Sequence, residues 1–201
     1  LATCSEESCA ADPQYRLLRL RAWLLQETGE YAEAAQAYKR IVAAEPGDFE
    51  GWNNLGNALS GAEETDAALV ALRKAVSIQP GNAATRFNLA SMLMHAGELP
   101  EAEEVLVACC RDFAEDEKPR VELAALLKSQ GRDAEALLLL REAAGIAPND
   151  ANLQVKLAIE EQLAWNMAAA EAAFRKAALL EPSLGEAHLL LALHFEHLNR
   201  P

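Results

Sequence analysis

Four prolines, Pro46, Pro80, Pro148 and Pro182, fall on one 34-residue grid, and Ala114 fills the remaining slot. Proline breaks a helix interior by removing an N–H donor and clashing with the preceding turn. A recurring proline therefore marks a recurring boundary. The stretch between two boundaries, such as Trp52 to Asn82, reads as two short amphipathic helices joined by a turn and closed by Pro-Gly-Asn. A chain with an internal period of this length builds by repetition, because one unit cannot bury its apolar face alone and neighbours must stack.

Taking the proline as residue 32 of a unit, the units start at Tyr15, Phe49, Ala83, Glu117 and Ala151. Positions that did not define the grid then test it. Residue 20 of each unit is Ala34, Ala68, Ala102, Ala136 and Ala170. Residue 8 is Ala22, Gly56, Ala90, Ala124 and Ala158, and residue 24 is Tyr38, Leu72, Leu106, Leu140 and Phe174. Small residues at 8 and 20 let the two helices of a unit approach closely. Large ones at 7, 11 and 24 fill the space beside that contact. Cys109 takes a position held elsewhere by Ile41, Ala75, Ala143 and Ala177 and is read as core.

This pattern resembles the tetratricopeptide-repeat family, and the likeness runs from Tyr15 to about Asn199. It implies an all-α fold, an α-solenoid in which antiparallel helix pairs wind into a right-handed superhelix. Two departures stand out. Glu63 and Trp165 replace the turn glycine present at Gly29, Gly97 and Gly131, and a non-glycine residue held left-handed there costs roughly 1 kcal/mol. Glu161 occupies a large apolar position, so a local shift of that helix is expected.

Five units are expected at 15–48, 49–82, 83–116, 117–150 and 151–184. Residues 1–14 read as the tail of a preceding helix or a cap, and 185–201 as the first helix of a sixth, truncated unit. The chain begins with Leu1 rather than Met, and the terminal helix carries Leu189, Leu190, Leu191, Leu193 and Phe195, too apolar for a terminal cap. Further sequence is therefore expected on both sides. His194 and His197 share one face of that helix, which is read as solvated.

The chain carries 18 basic and 31 acidic residues, a net charge of −13, which opposes binding to nucleic acid or to anionic membranes. No apolar run approaches the ~20 residues of a membrane span. Neither the adjacent Cys109 and Cys110 nor Cys4 and Cys9 have metal or redox spacing, and the cysteines point to a reducing, cytoplasmic setting. The Ala and Leu richness suggests a bacterial source. No cofactor or metal is expected, and no catalytic constellation is visible. The reading is non-enzymatic.

The family resemblance implies that first helices line a concave groove through residues 2, 5, 6, 9, 12 and 13 of each unit. Those positions supply Arg16, Arg19, Lys118, Lys128 and Lys156 against Glu27, Glu50 and Glu122, a surplus of two positive charges in an acidic protein. The implied partner is a protein or peptide segment that is neutral to mildly acidic. Asn53, Asn54, Asn57 and Asn88 form a short amide ladder of the kind that grips peptide backbone in this family, since an amide offers donors and an acceptor alike. Phe87, Met94, Val121, Val155 and Ile159 give an apolar strip, usable as a hydrophobic track or as packing between units.

The carboxylate clamp found in some family members is rejected. Asn53, Asn57, Asn88 and Lys118 approach its pattern, but Glu122 would oppose the ligand carboxylate, a repulsion of about 1–4 kcal/mol at contact. Two alternatives to a binding scaffold remain. One is the repeat region of a larger enzyme of sulfotransferase, glycosyltransferase or hydroxylase type. The other is self-association through the C-terminal helix.

Overall fold

The computed structural model describes residues 13–183 together with residues 185, 189 and 194. Most of the N-terminal segment read over 1–14, and of the helix read over 185–201, lies outside the described residues. Ten α-helices and no strand occur among the described residues. They are α1 Pro13–Glu27, α2 Tyr31–Ala44, α3 Phe49–Gly61, α4 Thr65–Ile78, α5 Ala83–Ala96, α6 Leu99–Asp112, α7 Lys118–Ser129, α8 Asp133–Ile146, α9 Ala151–Leu163 and α10 Met167–Leu180. The architecture is an all-α solenoid of antiparallel helix pairs.

The chain divides into two compact units within α6, Leu1–Val105 and Leu106–Pro201. In the first, each helix from α1 to α5 packs on the next, and α3 also reaches α5. In the second, α7 packs on α8, α8 on α9 and α9 on α10.

The small-against-large rule explains the pairing. Ala22, Ala34, Ala68, Ala102, Ala158 and Ala170 are completely buried. Gly56 shows how close the approach is, for a Cβ there would stand 2.5 Å from Leu72 Cγ. That distance is below any real contact, so only glycine lets Leu72 seat against α3. Cys109 is buried as core, and Cys110 is a free thiol.

All five intra-pair turns close the same way. Glu30, Glu64, Glu98, Arg132 and Asn166 each donate their backbone N–H to the carbonyl five residues back, at 2.8–2.9 Å. The residue before each donor is left-handed: Gly29, Gly97 and Gly131, and also Glu63 at φ 61° and Trp165 at φ 62°. Helix stacking fixes the turn, and the two side chains absorb the strain.

The shift expected around Glu161 does not occur, and α9 runs unbroken. Glu161 stays buried because Arg141 donates Nε and Nη2 to its two oxygens at 2.7 and 2.8 Å, and Asn166 Nδ2 adds a third bond at 2.8 Å. The carboxylate is satisfied in place, so the helix need not move. His194, read as solvated, is completely buried. Its ring sits 5.9 Å from Phe174, and its Nδ1 lies 3.2 Å from Gln162 Oε1.

Candidate functional site

A polar surface pocket lies in the first unit, between α3 and α5. Here Asn88 Nδ2 donates to Asn53 Oδ1 at 3.0 Å, and Asn53 Nδ2 lies 3.4 Å from Asn54 Oδ1. The sequence places these amides 34 or 35 residues apart, and stacking of α3 against α5 brings them into contact. Asn57 and Asn88 then line a pocket of about 760 Å³ with Ser60, Glu63, Thr65, Ser91 and His95. Its lining is mostly polar side chains that can donate or accept. Asn57 makes no side-chain hydrogen bond among the described residues, so both halves of its amide remain for a ligand.

Beside it, α1 and α3 frame a second, smaller pocket of about 250 Å³. Leu20 and Trp23 form one wall, Tyr38 and Ile41 of α2 the floor, and Gly51 and Asn54 the other wall. Leu20 and Trp23 are about half exposed, at 52% and 49%. Both occupy groove positions of their unit, yet a search for amides and charges passes over them.

Arg19 stands at the edge of this pocket. It pairs with Asp48, with Glu45 at 3.8 Å and with Glu50 at 4.0 Å, and its guanidinium sits 5.4 Å from the centre of the Tyr15 ring. Asp48 is the N-cap residue of α3, but it makes no side-chain cap bond, and its carboxylate turns to Arg19 instead. Burial pushes the Tyr15 phenol up to about 12. The Arg19 charge counted in the sequence is thus neutralised from within. Arg16 lies exposed on the same helix, and Phe87 is half-buried on α5.

The remaining sequence candidates belong to the second unit. Lys118 and Lys156 are exposed, Val121 is half-buried, and Val155 is buried against Ala177. Ile159 packs on Ala158 and Phe174. Lys128 forms an ion pair with Glu160 on the next first helix. Val155 and Ile159 are therefore packing residues, and Lys128 holds neighbouring units together. Met94 is half-buried in the first unit.

Two recurring devices escape a reading of one unit at a time. Residue 4 reaches back over the preceding turn: Trp52 Nε1 donates to Pro46 O at 3.0 Å, and Gln154 Nε2 donates to Pro148 O at 3.3 Å. In three units residue 25 is a base that reaches forward, while Arg175 pairs with Glu171 on its own helix. Lys39 pairs with Glu64 at 3.9 Å, Arg73 with Glu98 and Glu101 at 2.6 Å, and Arg141 with Glu161. A basic residue at every unit's residue 25 except Val107 was the available signal.

No helix among the described residues is long and apolar enough to cross a membrane. No group of three or more His, Cys, Asp or Glu side chains among them is placed to hold a metal ion.

Two family profiles, both described as tetratricopeptide repeat, match residues 19–83 and 59–108. Among curated proteins the chain is similar to the superkiller protein 3 of Saccharomyces cerevisiae, 24% identical over 135 residues, 67% of this chain and 9% of that protein. It is also similar to the peroxisomal targeting signal receptor of Kluyveromyces lactis, 29% identical over 79 residues, 39% of this chain and 14% of that one. The chain thus spans a small part of both relatives. Among solved structures, MamA from Desulfovibrio magneticus RS-1 superposes with a TM-score of 0.72 at 18% identity, covering 86% of this chain and 98% of that one. YrrB, described as a TPR protein with an unusual peptide-binding site, superposes at 0.63 and 20% identity, covering 88% of each. At such identities the likeness is one of fold.

Proposed function

This chain is a tetratricopeptide-repeat protein, and we propose that it is a non-catalytic scaffold holding a partner protein segment against the first helices of its repeats. Repeats of this fold generally mediate protein–protein interaction. The observation that carries the reading is the polar pocket between α3 and α5, with Asn57 unpaired and Asn88 bonded through only one edge of its amide. Amides at this spacing suit the alternating donors and acceptors of an extended backbone. The peroxisomal receptor and YrrB, by their names, are proteins that bind a targeting signal and a peptide, which supports the same class of ligand here.

The charge of the partner follows from pairing rather than from counting. Arg19 and Lys128 are occupied by carboxylates outside the counted positions, so the positive surplus read from the sequence is not presented to a ligand. Glu63 also lines the amide pocket, so the proposed segment carries no negative charge there. A cytoplasmic setting accords with the free thiol of Cys110.

The test is capture from a lysate of the source cells on the native chain and on an Asn54→Ala, Asn57→Ala, Asn88→Ala triple variant. A protein retained by the first and lost from the second supports the reading. Equal retention by both removes the groove from the account.

A further inference from the structure

We propose that the pocket between α1 and α3 is a specificity socket that takes one large apolar side chain of the partner segment, flanked in the partner by lysine or arginine. The inference rests on the binding role assigned to the amide surface beside it.

The geometry supplies the apolar half. Leu20 and Trp23 expose half of their surface on the ligand-facing side of α1, and Tyr38 and Ile41 are buried beneath them as a rigid floor. Gly51 keeps the far wall low. A Cβ there would stand 3.2 Å from Ile41 Cγ2 and 2.5 Å from the Asp48 carboxylate, so this residue contributes no side chain to fill the space. The opening of about 250 Å³ is of the order of one large side chain, not of a whole segment. Asn54, on its wall, accepts from Asn53, which in turn accepts from Asn88. The socket is therefore continuous with the amide surface through three linked side chains.

Charge complementarity supplies the basic half. Arg19 is shared between this socket and an adjoining open pocket of about 360 Å³ that contains Glu45, Asp48 and Glu50. Three carboxylates around one guanidinium leave a local surplus of negative charge, of which Glu50, 65% exposed, is the part that reaches the rim. A lysine or arginine next to the inserted side chain meets that surplus, whereas an acidic residue there is repelled. The division of labour is the usual one: backbone pairing at the amides gives affinity, and the side-chain pocket selects.

A displayed library of random short peptides is selected on the native chain. The enriched pool is then titrated against a Trp23→Ala variant and against an Asn57→Ala, Asn88→Ala variant. Both sets of substitutions lie at exposed or half-exposed positions, and circular dichroism verifies that each variant folds. The enriched peptides are expected to share one large apolar residue with a basic neighbour. They should lose about tenfold in affinity on Trp23→Ala, the worth of one buried side chain. Enriched peptides with no such residue, with acidic neighbours, or with affinity unchanged on Trp23→Ala but lost on the asparagine variant overturn the socket and leave the amide surface standing. Affinity unchanged on both variants, or no enrichment at all, overturns both.

Discussion

Asn88 donates its amide N–H to Asn53 Oδ1 at 3.0 Å, joining two successive first helices by side chains alone. The bond uses one donor of Asn88 and the acceptor of Asn53. It leaves the other half of the Asn88 amide at the pocket that the unbonded Asn57 amide also lines. One contact between units thus also fixes the orientation of a ligand-facing group.

Stability and binding should therefore separate at these two residues. Asn88→Ala removes a half-buried hydrogen bond and is expected to cost about 1 kcal/mol in urea denaturation, together with a loss of peptide affinity. Asn57→Ala breaks no bond within the chain and should leave the urea midpoint unchanged while weakening binding. An Asn57→Ala variant that unfolds earlier than the native chain contradicts this division.

Glu161 is the one charged residue at a position filled elsewhere by Leu25, Leu59, Leu93 and Leu127. Its carboxylate is buried at 4% exposure and held by Arg141, which is 45% exposed. Arg141→Ala strands the carboxylate and should cost about 1–3 kcal/mol. Glu161→Leu restores the apolar contact and should leave stability equal or higher by about 1 kcal/mol. Chemical denaturation of both variants checks the pair, and a destabilised Glu161→Leu would show that the ion pair contributes more than its desolvation costs.

The same carboxylate sets a pH dependence. The two hydrogen bonds from Arg141, aided by Asn166 and opposed by burial, hold Glu161 below its usual value of 4.5. Arg73 does the same for Glu101. A carboxylate depressed in the folded state contributes stability that is fully present above its unfolded value and is lost as pH falls through its folded value. These two groups should therefore leave stability unaffected between neutral pH and the usual 4.5, and lower it below that. Denaturation midpoints across pH 3–7 should fall less steeply at the acid end for Glu161→Gln than for the native chain.

Glu63 and Trp165 hold left-handed backbone without being glycine. Replacing either by glycine relieves about 1 kcal/mol of backbone strain and gives back part of that in unfolded-state entropy. Each is expected to gain roughly 0.5 kcal/mol. The converse change, Gly97→Ala at φ 79°, should lose a similar amount. Thermal midpoints that move the opposite way would place the strain elsewhere.

The fold was legible because its rule is local and repeated. Alanine at residues 8 and 20 facing a large residue at 24 is written into every unit but the one with Gly56, and these residues are the buried ones. The site was only partly legible, because its decisive contacts join units. Nothing within one repeat says that Asn88 meets Asn53 or that Glu160 claims Lys128, and although Arg19 and Asp48 share a unit, only folding brings its residue 34 back to its residue 5. Counting charge at chosen positions missed the partners that stand just outside them. Leu20 and Trp23 were passed over for a different reason: in a repeat protein a large apolar residue is read first as packing, and only their exposure distinguishes them.

The most direct test of the central claim is a proton–nitrogen NMR titration of the labelled chain with the tightest peptide from the display selection. The account predicts shift changes concentrated at Asn57, Ser60, Asn88, Ser91 and His95, extending to Leu20 and Trp23, with Val70 on α4 unmoved. Changes centred on α2, α4 or the second unit, with the α3–α5 pocket silent, would contradict it.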